Sequence, residues 1–335
     1  MPTAGRYLVA VLVFLSAFAL GVLGFAYHFH VLATPADLAQ SQVRDSDNII
    51  LPADIRYNAA FKLARIGQAR PDVICIGTSR PGTFRDWMFK PYRFYNASFT
   101  AWTTSQLLDV FERSTREVRP RVVILAIDYF LFTDTWDKAN GTERTMIYEP
   151  LRYVLFKFRY LSHSLPSLAP FQDDHRQDGF RRDGSYAYPA GFIEVARKQF
   201  QSAEYFLKST PGAAHMSERQ MAPIVQLASL AQQRGIKLIA IQLPYIRSAV
   251  DYLDYEESYR PWSGVWREFE SEQTAAWLRG LGITFFDMAH SSVGTDPLNF
   301  IDAYHPSDDG MVKLLDQLLN EKEFRAQFPD MNKIE

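Results

Sequence analysis

Cysteine is nearly absent from this sequence of 335 residues, since Cys75 is the only one. One thiol cannot build a disulfide framework or a cysteine-based zinc site. Because Cys75 lies inside an apolar run, we expect it to be a small buried side chain.

A basic excess is also missing, because 36 Lys and Arg residues face 38 Asp and Glu residues and the net charge is −2. A nucleic-acid-binding protein needs positive charge to neutralise phosphates, so the sequence predicts no nucleic-acid partner. Neither an internal repeat nor a low-complexity tract is present. The length allows one large α/β domain with insertions, or two small domains.

Histidine is scarce, with seven in the chain. His28 and His30 border an apolar run, and the "DDH" stretch at 173–175 has no convincing partners for a metal site. The sequence therefore predicts neither a metal ion nor a cofactor.

Charge is entirely lacking from residues 7–27, "YLVAVLVFLSAFALGVLGFAY". This run is long enough to cross a bilayer as a helix. It is longer than the usual apolar core of a cleaved signal, and no clean small-x-small cleavage site follows it. The pattern favours an uncleaved transmembrane anchor over a signal peptide.

The charges that flank this run predict its orientation. Arg6 precedes it, and the next Lys or Arg is Arg44. The positive-inside rule then places the N-terminus in the cytoplasm and the remainder outside. We expect a single-pass protein of the inner (cytoplasmic) membrane whose C-terminal domain is periplasmic or extracellular.

Beyond the anchor, apolar runs alternate with amphipathic segments. The runs predict strands at 72–77, 93–98, 121–130, 236–245 and 283–288, and the amphipathic segments predict helices at 104–118, 217–235, 274–282 and 305–321. Ser217 and Ser307 are candidate N-caps for two of these helices. Alternating strands and helices predict an α/β fold with a parallel sheet sandwiched between helices.

The predicted organisation has three parts. Residues 1–27 form a cytoplasmic tip and anchor, and residues 28–70 form a connector with a helix near its end. Residues 71–325 form the α/β domain, interrupted by an insertion at about 133–218 that is rich in aromatics, Arg and Pro. Within the insertion, residues 151–161 could be a helix that packs on the domain, or a surface for the membrane or a membrane partner.

Chemistry-bearing residues follow several of the predicted strands. Ser79 follows the first strand, Asn96 ends the second, and Asp128 ends the third, while Asp302 and His305 precede the last helix. Functional groups of open α/β sheets gather at the carboxyl ends of the strands. Taken alone, Ser79 is either a displayed nucleophile or the first residue of a turn.

A serine hydroxyl becomes a nucleophile when a histidine takes its proton and a carboxylate orients that histidine. Asp302 and His305 have the spacing to supply both groups, and the backbone N–H of Ser79 is a natural oxyanion donor. Asp287 and His290 share that spacing, but no Pro-Ser and helix follow them. We interpret this second pair as structural.

Four motifs occur in the order found in one known family. They are "GTSR" at 77–80, "NASFTAWTTSQ" at 96–106, "PRVVILAIDYF" at 120–130 and "DAYHPSDDG" at 302–310. The set resembles the SGNH (GDSL-like) hydrolases. The resemblance implies a flavodoxin-like α/β fold, with Ser79 as the nucleophile and Asp302 and His305 completing a triad.

The resemblance also implies a set of oxyanion and substrate-binding residues, with departures from the family pattern. Ala101 stands where the family has an oxyanion glycine, and it keeps a backbone N–H. Asp128 and Tyr129 stand where the family has an asparagine, but an ionised aspartate cannot donate a hydrogen bond. Asn96 either donates to the site or ties down a turn, and Arg80 either binds an acidic group or forms a salt bridge.

Together with the anchor, these motifs resemble a divergent branch of bacterial envelope proteins. The branch includes the alginate O-acetylation proteins and the D-alanyl-transfer protein of the teichoic-acid pathway. The resemblance implies an O-acyltransferase or esterase that acts on an envelope polysaccharide or related acceptor through an acyl-serine, beside a multispanning membrane-bound O-acyltransferase. The departures keep a second hypothesis open, a non-catalytic scaffold that binds glycan or supports such a transferase.

Overall fold

The computed structural model describes residues 3–28, 34–45, 49–50, 58–141, 179–210, 212–255 and 263–332. The strands of these segments are β1 (Val73–Ile76), β2 (Phe94–Ala97), β3 (Val122–Ala126), β4 (Gly179–Phe180), β5 (Tyr186–Ala187), β6 (Lys237–Gln242) and β7 (Ile283–Asp287). Five of them form a parallel sheet in the order β2-β1-β3-β6-β7, and β4 pairs with β5 in a small antiparallel hairpin.

Helices precede, separate and follow the strands of the sheet. They are α1 (Thr3–His28), α2 (Pro35–Arg44), α3 (Asn58–Ala69), α4 (Thr104–Ser114), α5 (Asp134–Asn140), α6 (Ala190–Phe200), α7 (Ala203–Ser209), α8 (Glu218–Arg234), α9 (Arg247–Tyr255), α10 (Gly264–Phe269), α11 (Glu272–Gly280), α12 (Asp308–Leu318) and α13 (Lys322–Gln327). The parallel sheet with helices confirms the predicted α/β fold class.

The central strands are apolar throughout because both faces of the sheet are covered. In β1, Ile74 and Ile76 face a core shared with α4 and α8, whereas Val73 and Cys75 face a core shared with α12 and α13. Cys75 is fully buried, and burial raises the pKa of its thiol. It is the small apolar side chain that the sequence predicted.

The strand order places a crevice at the end of β1. In the sheet, β2 lies on one side of β1 and β3 lies on the other, so the strand order reverses at β1. Ligands of open α/β sheets bind at such a switch point. Gly77 allows the close approach there, because a Cβ at this residue would lie 2.9 Å from the Cβ of Ala126. The first and third strands therefore end side by side, with Ser79 and Asp128 just beyond them.

Two helix caps test the sequence patterns locally. The Ser307 hydroxyl accepts the N–H of Gly310 at 3.2 Å and caps α12, as predicted. Ser217 is the N-cap residue of α8, as predicted, but its hydroxyl donates to Asp134 at 2.8 Å and makes no capping bond to the helix.

The N-terminal helix α1 contains an 18-residue segment, Gly5–Val22, with a mean hydropathy of 2.0 and no buried part. Its length and composition would let it cross a membrane, and a signal sequence has the same properties. Helix α3 matches the helix predicted at the end of the connector. The proposed domain limits stay predictions, and both residues 151–161 and the "DDH" stretch lie outside the described residues.

Candidate active site

Three side chains from distant parts of the chain form a continuous hydrogen-bonded relay. Ser79 Oγ lies 2.7 Å from His305 Nε2, and His305 Nδ1 lies 2.7 Å from Asp302 Oδ2. Because the ionised carboxylate can only accept, Nδ1 carries the proton and Nε2 is free to accept from the serine hydroxyl. This is the geometry that the sequence motifs predict for a nucleophile, its base and an orienting acid.

A tight loop holds His305 and Asp302 in place. Phe300 and Pro306 form an antiparallel bridge across it, and the N–H of Ile301 donates to the His305 carbonyl at 2.8 Å. At its far side, Gly310 packs so closely on the Asn299 carbonyl that a Cβ there would collide with it. The glycine of the last motif thus seats α12 against the loop that carries His305.

The Asp302 carboxylate is held in its ionised form. Burial alone would raise its pKa, but the charge and hydrogen bond of His305 and the backbone N–H groups of Tyr304 and His305 outweigh burial and lower the pKa. Those N–H groups donate to Oδ1 at 2.9 and 2.8 Å. One carboxylate oxygen therefore shapes the loop while the other orients the imidazole.

Ser79 does begin a turn, but its hydroxyl takes no part in that turn. The residue precedes a 3₁₀ segment, Arg80–Thr83, and makes no side-chain cap to it. The residue is half-buried, and its hydroxyl is directed to His305. The two alternatives for Ser79 are therefore compatible, because the turn is what presents the side chain.

The oxyanion donors are only partly in place. The backbone N–H of Ser79 makes no hydrogen bond to any other group in the described segments. The N–H of Ala101 instead donates to the Gly77 carbonyl at 3.3 Å, a long bond shared with the N–H of Thr100. Ala101 can become a second donor only if this weak bond breaks when a substrate binds.

The structure decides between the two alternatives for Asn96. Its amide donates to the carbonyls of Pro81 and Phe84 at 2.7 and 2.9 Å, and its oxygen accepts the N–H of Ser98. Since both N–H groups are used, Asn96 braces the turn after Ser79 rather than donating to a substrate.

Arg80 takes one of its two predicted roles, whereas the inclusion of Asp128 among the oxyanion and substrate-binding residues is corrected. They form an ion pair with each other, and each side chain is only 1% exposed. Neither can reach a substrate in this arrangement, so the salt-bridge alternative holds for Arg80. Tyr129 is also fully buried, with its hydroxyl donating to Thr210 at 3.1 Å, and belongs to the core.

Lys62 is a buried residue near the site that the sequence analysis missed. Its ammonium donates to the carbonyls of Asn96, Ser98 and Gly184 at 3.1, 2.6 and 2.7 Å. Burial lowers its pKa well below the ordinary value. A lysine inside an amphipathic helix gives no sequence signal of this role, because all three partners come from other elements.

A cleft of about 550 Å³ borders the chain segments that carry Ser79 and His305. Its lining includes Thr83, at the end of the 3₁₀ segment after Ser79, and Ser307, two residues after His305. It also includes Arg181 and Tyr188, from the predicted insertion. None of the three relay residues lines this cleft.

The second Asp-x-x-His pair, Asp287 and His290, lies in a different environment from Asp302 and His305. His290 Nε2 is 3.2 Å from a Glu270 carboxylate oxygen, and Asp254 lies close by and accepts from Trp266. Asp254, Glu270 and His290 each place one potential metal-ligand atom within 4.8 Å of the other two, a spacing that could hold a cation. Their mutual contacts account for the grouping, and the absence of a metal ion stays a prediction.

Glu270 gives a prediction about stability. Burial, together with the nearby Asp287 and Asp254, raises its pKa from 4.5 to about 9. The unfolded chain loses this proton above pH 4.5 and the folded chain keeps it, so stability falls as pH rises from about 4.5 to 9. We expect Glu270→Gln to raise stability by on the order of 1–2 kcal/mol at pH 8.

Thermal unfolding measured from pH 5 to 8 checks this. The melting temperature of the variant should exceed that of the wild type at pH 8, and the difference should shrink toward pH 5. Glu117→Gln, at an exposed position, is the control and should change little at either pH. A constant difference across the range would contradict the raised pKa.

Comparisons with known proteins give a distant likeness. No family model and no curated protein matches the chain. Among solved structures, a GDSL-like lipase from Bacteroides thetaiotaomicron is 13% identical, with a TM-score of 0.41 and coverage of 82% of this chain and 99% of that one. A proposed acylhydrolase from Bacteroides fragilis is 17% identical, with a TM-score of 0.37 and coverage of 76% and 88%.

Proposed function

We propose that this protein is an SGNH-type serine enzyme of acyl transfer. The observation that carries the proposal is the relay from Ser79 through His305 to Asp302, with both hydrogen bonds at 2.7 Å. A serine that merely capped a turn would not need a histidine on its hydroxyl, nor a carboxylate behind that histidine.

The proposed acyl transfer can be described by its proton transfers. His305 Nε2 takes the proton of Ser79 as Oγ attacks the acyl carbonyl, and Asp302 stabilises the imidazolium that forms. The imidazolium then protonates the leaving oxygen, and the acyl group stays on Ser79. Water or an acceptor hydroxyl next gives its proton to His305 and attacks the acyl-serine. The imidazolium returns that proton to Ser79 Oγ as the acyl–oxygen bond breaks, which restores the free enzyme. An esterase and an acyltransferase differ only in this second attacking group.

The oxyanion formed in each attack needs donors. The N–H of Ser79 is available, and the N–H of Ala101 is the best second candidate once it leaves Gly77. The buried Asn96 and Asp128 side chains supply none. This shortfall is what favours the second candidate function, a non-catalytic SGNH-like scaffold that binds glycan or supports a membrane-bound O-acyltransferase.

The location and acceptor form a further part of the proposal. Helix α1 would anchor the protein in the inner membrane, with Arg6 on the cytoplasmic side and the α/β domain in the periplasm or outside the cell. The acceptor would be an envelope polysaccharide or related molecule, and a multispanning membrane-bound O-acyltransferase would be the partner. The support for this part is the sequence resemblance and the apolar helix.

Labelling with a fluorophosphonate tests the enzymatic proposal. Such a reagent captures only a serine whose proton is taken by a base. We expect the full-length protein in detergent to form one adduct, located by mass spectrometry on the peptide that contains Ser79.

The matched control is Ser229→Ala, at an exposed position of α8, which should be labelled like the wild type. Ser79→Ala should not be labelled. A wild-type protein that stays unlabelled, under conditions that label a reference serine esterase, would reject the enzyme and favour the scaffold.

A further inference from the structure

Arg80, the residue after the proposed nucleophile, makes an unusual set of buried contacts. Its Nε donates to the Tyr304 carbonyl at 2.9 Å, and Nη2 donates to the carbonyls of Leu243 and Pro244 at 3.1 and 2.6 Å. Nη1 pairs with Asp128. Four of the five guanidinium N–H groups are therefore engaged, and water does not reach the side chain.

These partners belong to separate segments at the carboxyl edge of the sheet. Tyr304 directly precedes His305, Asp128 follows β3, and Leu243 and Pro244 follow β6. Arg80 itself extends from the turn that presents Ser79. A single planar group thus joins the segment of the nucleophile to the segment of its base and to two strand ends.

Tyr245 further fixes the guanidinium, both by stacking on it and by bonding to its partner Asp128. Its central carbon lies 3.8 Å from the centre of the Tyr245 ring, and the Tyr245 hydroxyl donates to the same Asp128 oxygen at 3.0 Å. Stacking and ion pairing leave the side chain little freedom. Arginine suits this position because its N–H groups form a rigid fork, which a lysine ammonium does not.

The buried carboxylate of Asp128 also requires the Arg80 cation in this position. It is completely buried, and its Oδ2 atom has no hydrogen-bond partner among the described residues. Burial raises its pKa, while Arg80, Tyr245 and the charge of His305 act to lower it. A buried carboxylate of this kind would be very costly without the Arg80 cation.

We propose that Arg80 is a positioning residue that holds the Tyr304–His305 segment against the serine turn and so sets the Ser79–His305 contact. The proposal rests on the acyl-transfer function inferred above. It assigns Arg80 no contact with substrate. Its effect is carried through the Tyr304 carbonyl, one residue before the base.

The first test is Arg80→Lys in the full-length protein. The charge stays, but the fork that reaches Tyr304 and Leu243 together is lost. We expect kcat for a small acyl ester to fall about 100-fold with KM little changed, because a misplacement of about 1 Å in reacting groups costs this much. Arg93→Lys, at an exposed arginine paired with Asp72, should retain full activity.

The second test separates positioning from stability. Arg80→Met alone leaves Asp128 buried without its cation and should lower the melting temperature sharply. The double variant Arg80→Met with Asp128→Asn removes both charges and should recover most of that temperature, yet kcat should stay low. Recovery of kcat together with the melting temperature would overturn the proposal and leave Arg80 a purely structural ion pair.

A crystal structure of the Arg80→Lys variant tests the positioning role independently of enzyme activity. We expect the Ser79 Oγ to His305 Nε2 distance to exceed hydrogen-bond range, about 3.5 Å. An unchanged distance would overturn the positioning role. If the wild type proved inactive while the variant lost this contact, the positioning role would stand and the acyl-transfer function would fail.

Discussion

Replacing Ser79 with alanine should lower kcat/KM for a small acyl ester by about 10⁴- to 10⁶-fold. The hydroxyl is the atom that would carry the acyl group, and no other hydroxyl is bonded to His305 in the described structure. Whatever turnover remains would come from binding and from the oxyanion donors alone.

The protein should stay folded, because the serine hydroxyl has one partner and His305 keeps its bond to Asp302. We expect the free energy of unfolding to change by about 1 kcal/mol or less. Steady-state hydrolysis of a chromogenic acetyl ester, with Ser229→Ala as control, measures the effect. A folded Ser79→Ala variant that retains activity within tenfold of the wild type would remove Ser79 from the mechanism.

Replacing Asp302 with asparagine should lower kcat by about 10⁴-fold. The carboxylate Oδ2 now accepts a hydrogen bond from the Nδ1–H of His305, whereas an amide in its place donates a hydrogen bond to Nδ1. The imidazole would then carry its proton on Nε2 and could not accept from Ser79. The loop should keep its shape, since the asparagine oxygen can still accept the N–H groups of Tyr304 and His305.

The chain contains its own matched control for this variant. Asp287 has the same spacing to His290, and its carboxylate accepts a local N–H from Ala289 at 3.0 Å. Asp287→Asn should therefore leave kcat within a few-fold of the wild type. Equal losses in the two variants would mean that the spacing alone had been mistaken for a catalytic pair.

The elements that could be predicted from the sequence share one property, which is that their causes are local. Apolar runs bounded by Pro71 and Gly77 predict a buried strand, and alternation with amphipathic segments predicts the parallel sheet. The motif around His305 contains its own helix cap at Ser307. Ser79, Asp302 and His305 were nominated by the order of four motifs and its resemblance to the SGNH hydrolases, because Ser79 taken alone could equally begin a turn.

The roles of the neighbouring residues were beyond the sequence, because their partners lie far away along the chain. Arg80 meets Asp128, Leu243 and Tyr304, and Lys62 meets carbonyls of the turn after β2 and of the β4–β5 hairpin. Nothing near Asn96 reveals that its amide is consumed by Pro81 and Phe84.

The sequence by itself thus determined the fold class and the candidate anchor, and it nominated Ser79, Asp302 and His305 as the residues of the proposed site, since each depends on residue type, spacing and order. Only the tertiary structure decided that Ser79 Oγ and His305 Nε2 lie 2.7 Å apart, and that Arg80, Asn96 and Asp128 support the site from within the core. Such contacts depend on how five strand ends meet at one edge of the sheet. A buried polar group takes whatever partner that packing places within reach.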